Sequence, residues 1–185
     1  MRLFTAIQFS DSIKQNLEEI VTSLKKEAGQ GNFTLTENLH LTLVFIGESN
    51  RVESIQQCME QTNFPSMLLE FKEFGKFKRK DGDIYWLGMV ANPVLIQLQN
   101  ALQKNLLRAG FLIEERKFKP HLTLGRQVIV PPGFDLLTFE RKIPPISVPV
   151  AKISLMKSER IAGRLTYTEI YAKHLAVEKG KGHRL

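Results

Sequence analysis

The tetrapeptide His-Leu-Thr-Leu occurs twice in this 185-residue chain, from His40 and again from His121. Side chains alternate along an extended strand, so His40 and Thr42 share one face, as do His121 and Thr123, with the leucines turned toward a core. Histidine gains and loses a proton near neutral pH. Two of them give a displacement reaction a base on one side and an acid on the other. A threonine hydroxyl donates to a non-bridging phosphate oxygen, and two such donors can straddle one phosphate between the imidazoles. A lone His-Thr pair on a strand carries little meaning. Two identical pairs in a chain with four histidines point to a site.

Other chemistries fit these residues less well. Threonine is a poor zinc ligand, Cys58 is the sole cysteine, and catalytic zinc takes three protein ligands, so no metal and no cofactor is expected. No Gly-x-Ser-x-Gly setting marks a serine nucleophile. Cys58 falls in a helical stretch beside Ile55 and Met59 and reads as a small core residue.

The elements that must carry these strands are legible in the pattern. Residues 2–9 alternate as a strand, and Ser10-Asp11-Ser12 opens a helix with Ile13, Leu17, Ile20, Val21 and Leu24 on one face, ended by Gly29 and Gly31. A strand over 39–46 closes at Gly47, a helix fits 51–62, and Pro65 breaks it. Residues 66–77 and 84–91 are strands joined by the charged hairpin 78–83. Asn92-Pro93 opens a helix that Gly110 ends, and a strand covers 121–127. Prolines bracket an irregular stretch over 131–145, two last strands cover 147–157 and 165–173, and 179–185 is a frayed tail. The expectation is one α+β domain over residues 1–185: antiparallel sheets, helices outside, and two lobes that each carry one His-x-Thr strand.

Twenty-six lysines and arginines against 19 aspartates and glutamates give a net charge of +7, which favours polyanionic partners such as nucleic acid. With no apolar leader and no transmembrane-length run, a soluble, cytoplasmic, monomeric protein without membrane contact is expected.

The chain resembles the two-histidine phosphoesterase superfamily, and within it the RNA 2',3'-cyclic phosphodiesterases also called 2'-5' RNA ligases. The resemblance rests on Met1-Arg2-Leu3-Phe4-Thr5-Ala6-Ile7, on Glu37-Asn38-Leu39-His40-Leu41-Thr42-Leu43-Val44-Phe45-Ile46-Gly47, on Tyr85-Trp86-Leu87-Gly88, and on Phe118-Lys119-Pro120-His121-Leu122-Thr123-Leu124-Gly125-Arg126. It implies a bilobal, pseudo-twofold α+β fold with both histidines in a central cleft. It also implies His40 as proton donor, His121 as proton acceptor, Thr42 and Thr123 on the phosphate, and hydrolysis of terminal 2',3'-cyclic phosphate to a 2'-phosphate without a metal. The implied partner is RNA with cyclic phosphate ends or a related nucleotide. Ligation from the same site, or RNA binding without catalysis, are the competing functions.

The family often has an arginine where Arg126 stands. Strand parity turns Arg126 away from His121 unless the strand bulges, which Gly125 permits. Relatives often carry Arg-Trp shortly before the first motif; here the stretch is Asn32-Phe33-Thr34-Leu35, which offers Phe33 as the aromatic and no arginine. Phe77, Lys78, Arg79 and Lys80, with Phe74 and Lys76 nearby, are candidate RNA contacts on the hairpin. Tyr167 and Ser158 lie in the last strands, where Tyr167 reads first as a sheet-face residue; His174 and His183 read as surface.

Overall fold

The computed structural model describes residues 1–114 and 117–177. The chain runs through β1 (Arg2–Gln8), α1 (Asp11–Glu27), β2 (Gln30–Phe33), a 3-10 turn (Thr36–Asn38), β3 (His40–Glu48), α2 (Val52–Glu60), β4 (Met67–Phe77) and β5 (Asp83–Met89). It continues with α3 (Pro93–Arg108), β6 (His121–Ile129), α4 (Leu136–Arg141), β7 (Ile146–Val150), β8 (Lys152–Ile161) and β9 (Arg164–His174).

The helix starts obey local chemistry. Ser10 accepts from the Ile13 N–H and Asn92 from the Leu95 N–H, each satisfying a donor that a helix N-terminus leaves orphaned, at a gain of about 1 kcal/mol per cap. Pro93 sits in the first turn of α3, where its missing N–H costs nothing. Leu17, Ile20, Val21 and Leu24 of α1 and Leu95, Leu98, Leu102 and Leu106 of α3 form the buried stripes.

The strands form two antiparallel sheets. One has the order β3-β1-β8-β9 and carries His40; the other has the order β2-β6-β5-β4-β7 and carries His121. One core cluster takes residues from both, including Leu3, Ile7 and Leu41 of the first sheet and Leu69, Leu87 and Leu122 of the second. In each sheet the His-x-Thr strand lies beside an earlier strand with a long helix between them in the chain: β1, α1 and β3 in one, where β2 and the 3-10 turn also intervene, and β5, α3 and β6 in the other. That shared wiring is the pseudo-twofold relation, and β3 and β6 themselves approach each other.

The two sheets do not divide the chain at its middle. β2, from the N-terminal half, edges the His121 sheet, while β8 and β9 complete the His40 sheet. The strand expected over 147–157 is therefore two strands in different sheets. Ile146, Val148 and Val150 are buried on one parity and Ile153 and Leu155 on the other, so the apolar period slips at Ala151 and the chain changes sheet there. Pro149 is tolerated because β7 is an edge strand.

Two further elements lay hidden in the sequence. Residues 30–33 form an edge strand rather than helix-ending loop, because β6 supplies pairing that Gln-Gly-Asn-Phe does not advertise. The stretch expected to be irregular holds α4, whose Asp135 cap accepts from the Leu137 N–H and whose Phe139 is buried. β3 also continues past Gly47 to Glu48. Residues 179–185, read as a frayed tail, and His183 lie outside the described residues.

Candidate active site

Both His-x-Thr strands bulge at the same residue. On β3, Ala6 faces Thr42 but Thr5 faces Val44, leaving Leu43 extra; on β6, Trp86 faces Thr123 but Tyr85 faces Gly125, leaving Leu124 extra. Each bulge buries two successive residues, Leu43-Val44 and Leu124-Gly125, and returns the next side chain to the face of its histidine. Arg126 thereby joins His121 and Thr123, and its charge bears on His40 and Tyr167 of the opposite sheet. Among the described residues its guanidinium has no hydrogen bond or ion pair, so its donors are free for an anion.

The imidazoles are oriented by the same device. His40 Nδ1 lies 2.7 Å from the Asn38 carbonyl oxygen, and His121 Nδ1 lies 2.7 Å from that of Lys119. A carbonyl only accepts, so each Nδ1 carries the proton, and in the neutral ring the basic lone pair sits on Nε2. His40 Nε2 lies 2.9 Å from Thr42 Oγ1. Each acceptor carbonyl is itself held: the Asn38 amide donates to the Leu165 carbonyl of β9, and Pro120 stiffens the link between Lys119 and His121.

Aromatic rings fix the remaining freedom. Phe4 and Tyr167 pack on the His40 ring at centroid distances of 4.9 and 5.0 Å, and Phe77 and Trp86 flank His121 at 5.1 and 6.4 Å. Trp86 can lie there because Gly75 and Gly88 lack side chains: a Cβ on Gly88 would sit 2.8 Å from the indole. The Lys119 ammonium covers Trp86 at 4.5 Å and Phe77 at 5.2 Å.

Burial pushes the His40 pKa down, and the charges of Arg126, Lys14 and His121 add to this, against the opposing bond to the Asn38 carbonyl. Burial and these charges therefore favour the neutral form of His40 in the free protein. Lys14 is steadied by donating to the Glu37 carbonyl at 3.2 Å.

The other sequence candidates divide. Tyr167 lies edge-on to His40, with Ser158 opposite it on β8. Phe33 is half-buried and packs on the core, its ring close to Gly31 and Gly125. Lys78, Arg79 and Lys80 are exposed on the hairpin, whereas Lys76 pairs with Asp83 and Phe74 is buried against Tyr85 and Phe139. His174 is exposed and Cys58 buried. Sequence reasoning did not single out Phe4, Trp86, Lys119 or Lys14. The alternation of β5, which puts Trp86 and Gly88 on one parity, was the available signal for Trp86. Among the described residues no cluster of three or more His, Cys, Asp or Glu side chains could hold a metal ion, and no helix is long and apolar enough to cross a membrane.

This architecture recurs in known proteins. The chain is 35% identical over 163 residues to the RNA 2',3'-cyclic phosphodiesterase of Thermotoga maritima, covering 85% of this chain and 87% of that one. It is 32% identical over 178 residues to the enzyme of the same name from Escherichia coli K12, covering 91% and 93%. The crystal structure of Escherichia coli LigT complexed with 3'-AMP superimposes with a TM-score of 0.79 at 30% identity, covering 94% of this chain and 97% of LigT. TT0787 of Thermus thermophilus shares the fold at a TM-score of 0.76 and 22% identity, covering 96% and 100%. The sequence model of the 2'-5' RNA ligase superfamily matches residues 9–162, a span that contains both His-x-Thr strands, their bulges and Arg126, and the chain belongs to that superfamily.

Proposed function

We propose that this protein hydrolyses RNA 3' ends that carry a 2',3'-cyclic phosphate, opening the ring to a 2'-phosphate and a free 3'-hydroxyl. The observation that carries the reading is the pair of His-x-Thr strands, each with Nδ1 of its imidazole tied to a backbone carbonyl, so that the neutral ring carries its basic lone pair on Nε2. The names of the relatives and the 3'-AMP complex of LigT support RNA as the substrate.

Water attacks phosphorus opposite the 3' oxygen. His121 Nε2 takes a proton from that water as the new P–O bond forms. The P–O3' bond breaks and O3' receives a proton from His40 Nε2. A substrate phosphate brings the negative charge that raises the His40 pKa from its depressed value and loads it with the proton it must give. Thr42, Thr123 and Arg126 donate to the non-bridging oxygens, where charge builds up in the transition state. Each proton transfer is worth roughly 10²–10⁴ in rate, and holding a strained cyclic diester in line adds an entropic advantage. No metal is assigned a part.

The test is incubation with a 2',3'-cyclic-phosphate-ended oligonucleotide in EDTA, followed by identification of the phosphate position. A 2'-phosphate product supports the reading; an untouched ring, or a 3'-phosphate, overturns it. With an RNA 5'-hydroxyl attacking in place of water and O3' again leaving with a proton, the same groups would join a cyclic phosphate to a 5'-hydroxyl, as the superfamily description suggests. The ratio of ligated to hydrolysed product at high RNA concentration measures that share.

A further inference from the structure

The pseudo-twofold relation breaks at one position. The residue that the bulge returns to the site face is Arg126 on β6 and Phe45 on β3. Phe45 is 46% exposed. Its ring is covered by the guanidinium of Arg2, 5.0 Å from the ring centroid, from the neighbouring strand β1. Among the described residues Arg2 makes no ion pair. Its charge reaches Tyr167, as does that of Arg126, and Tyr167 packs against Phe4 and His40. The face therefore runs from His40 through Phe4 and Tyr167 to Arg2 on Phe45.

We propose that Arg2, backed by Phe45, is a binding subsite for the nucleotide on the 5' side of the cyclic-phosphate terminus, making short RNA rather than a mononucleotide the preferred substrate. The proposal rests on the hydrolase reading for the identity of the terminus. A 2',3'-cyclic phosphate closes the 3' end, so the rest of the RNA can extend only in the 5' direction. Leaving the site over the His40 sheet, it meets a guanidinium plane already held flat on a ring. That plane stacks a base on its outer side, and its N–H edge donates to the linking phosphate. On the His121 side the equivalent position holds a cation with free donors and no exposed ring, suited to phosphate alone. Replacing one arginine by a phenylalanine–arginine pair thus orients the substrate, phosphate toward Arg126 and RNA toward Phe45.

The test compares adenosine 2',3'-cyclic monophosphate with a tetra-adenylate ending in 2',3'-cyclic phosphate, in the unaltered protein and in Phe45→Ala and Arg2→Gln. The expected result is a roughly tenfold fall in kcat/KM on the tetranucleotide, through KM, with the mononucleotide unchanged. Loss on both substrates alike, or on neither, overturns the subsite. Calorimetric binding of 2'-AMP and of tetra-adenylate 2'-phosphate repeats the comparison without turnover. Preferential tetranucleotide binding that both substitutions abolish supports the subsite even if cyclic phosphate is not hydrolysed, in which case the hydrolase reading alone fails.

Discussion

His40 Nε2 lies 2.9 Å from the hydroxyl of Thr42, two residues further along the same strand. With the imidazole neutral and Nδ1 donating to Asn38, the hydroxyl must be the donor to Nε2. When His40 takes up a proton this bond reverses, and the hydroxyl is free to donate to a phosphate oxygen. Thr42 thus couples the protonation of the proposed acid to the arrival of the phosphate. Thr42→Val removes both roles, and kcat/KM is expected to fall by about 10²-fold, the scale of one lost transition-state donor. Thr42→Ser keeps the hydroxyl and should restore most of it.

His40→Ala and His121→Ala are each expected to lower kcat by about 10²–10⁴-fold while the unfolding curve stays cooperative. The division of labour shows in the leaving group. A p-nitrophenyl phosphodiester expels a phenolate that needs no proton, so His40→Ala should keep near-normal activity on it and His121→Ala should not. The opposite pattern would exchange the two roles.

The pH dependence follows from the burial and charges around His40. Its pKa in the free protein lies below the ordinary value of about 6.5. The alkaline limb of kcat/KM, which reports the free enzyme's acid, should therefore begin below that value, and the limb of kcat, which reports the complex, at higher pH. Arg126→Gln removes a positive charge that lowers the His40 pKa, so the kcat/KM limb should move upward in pH while KM rises. For folding the sign is that of a depressed native pKa: the His40 contribution is complete above about 6.5 and is lost as pH falls below it. The unfolding midpoint measured across pH 5 to 8 checks this.

Gly88→Ala would put a methyl group 2.8 Å from the Trp86 ring and 3.1 Å from Glu73 Cβ. Overpacking of this kind costs about 1–3 kcal/mol. Because Trp86 flanks His121, activity should fall beyond what the lost stability explains. Trp86 is the sole tryptophan, so its fluorescence follows the displacement directly.

Part of this site could be read from the chain and part could not. Arg126 was linked to His121 only on condition of a bulge, and the bulge is present, one residue wide, at Leu124. Tyr167 read first as a sheet-face residue, and it is one, but the face is the one against His40. Phe33, offered by the sequence as an aromatic contact, is half-buried: β2 pairs with β6 and sets its ring beside Gly125, packed on the core. The strand over 147–157 split because sheet membership depends on partners distant in sequence, of which the alternation of one segment carries no record.

By itself the sequence determined which groups can react and that each histidine shares a face with its threonine. That follows from the geometry of an extended backbone and needs no neighbours. The tertiary structure decided what those groups can do. Pairing between distant strands buries His40, brings the Arg126 charge to it, and sets Phe45 in one half-site where the other has Arg126. Burial and charge act through space, so the titration of a histidine and the direction of its substrate are properties of the assembled sheets.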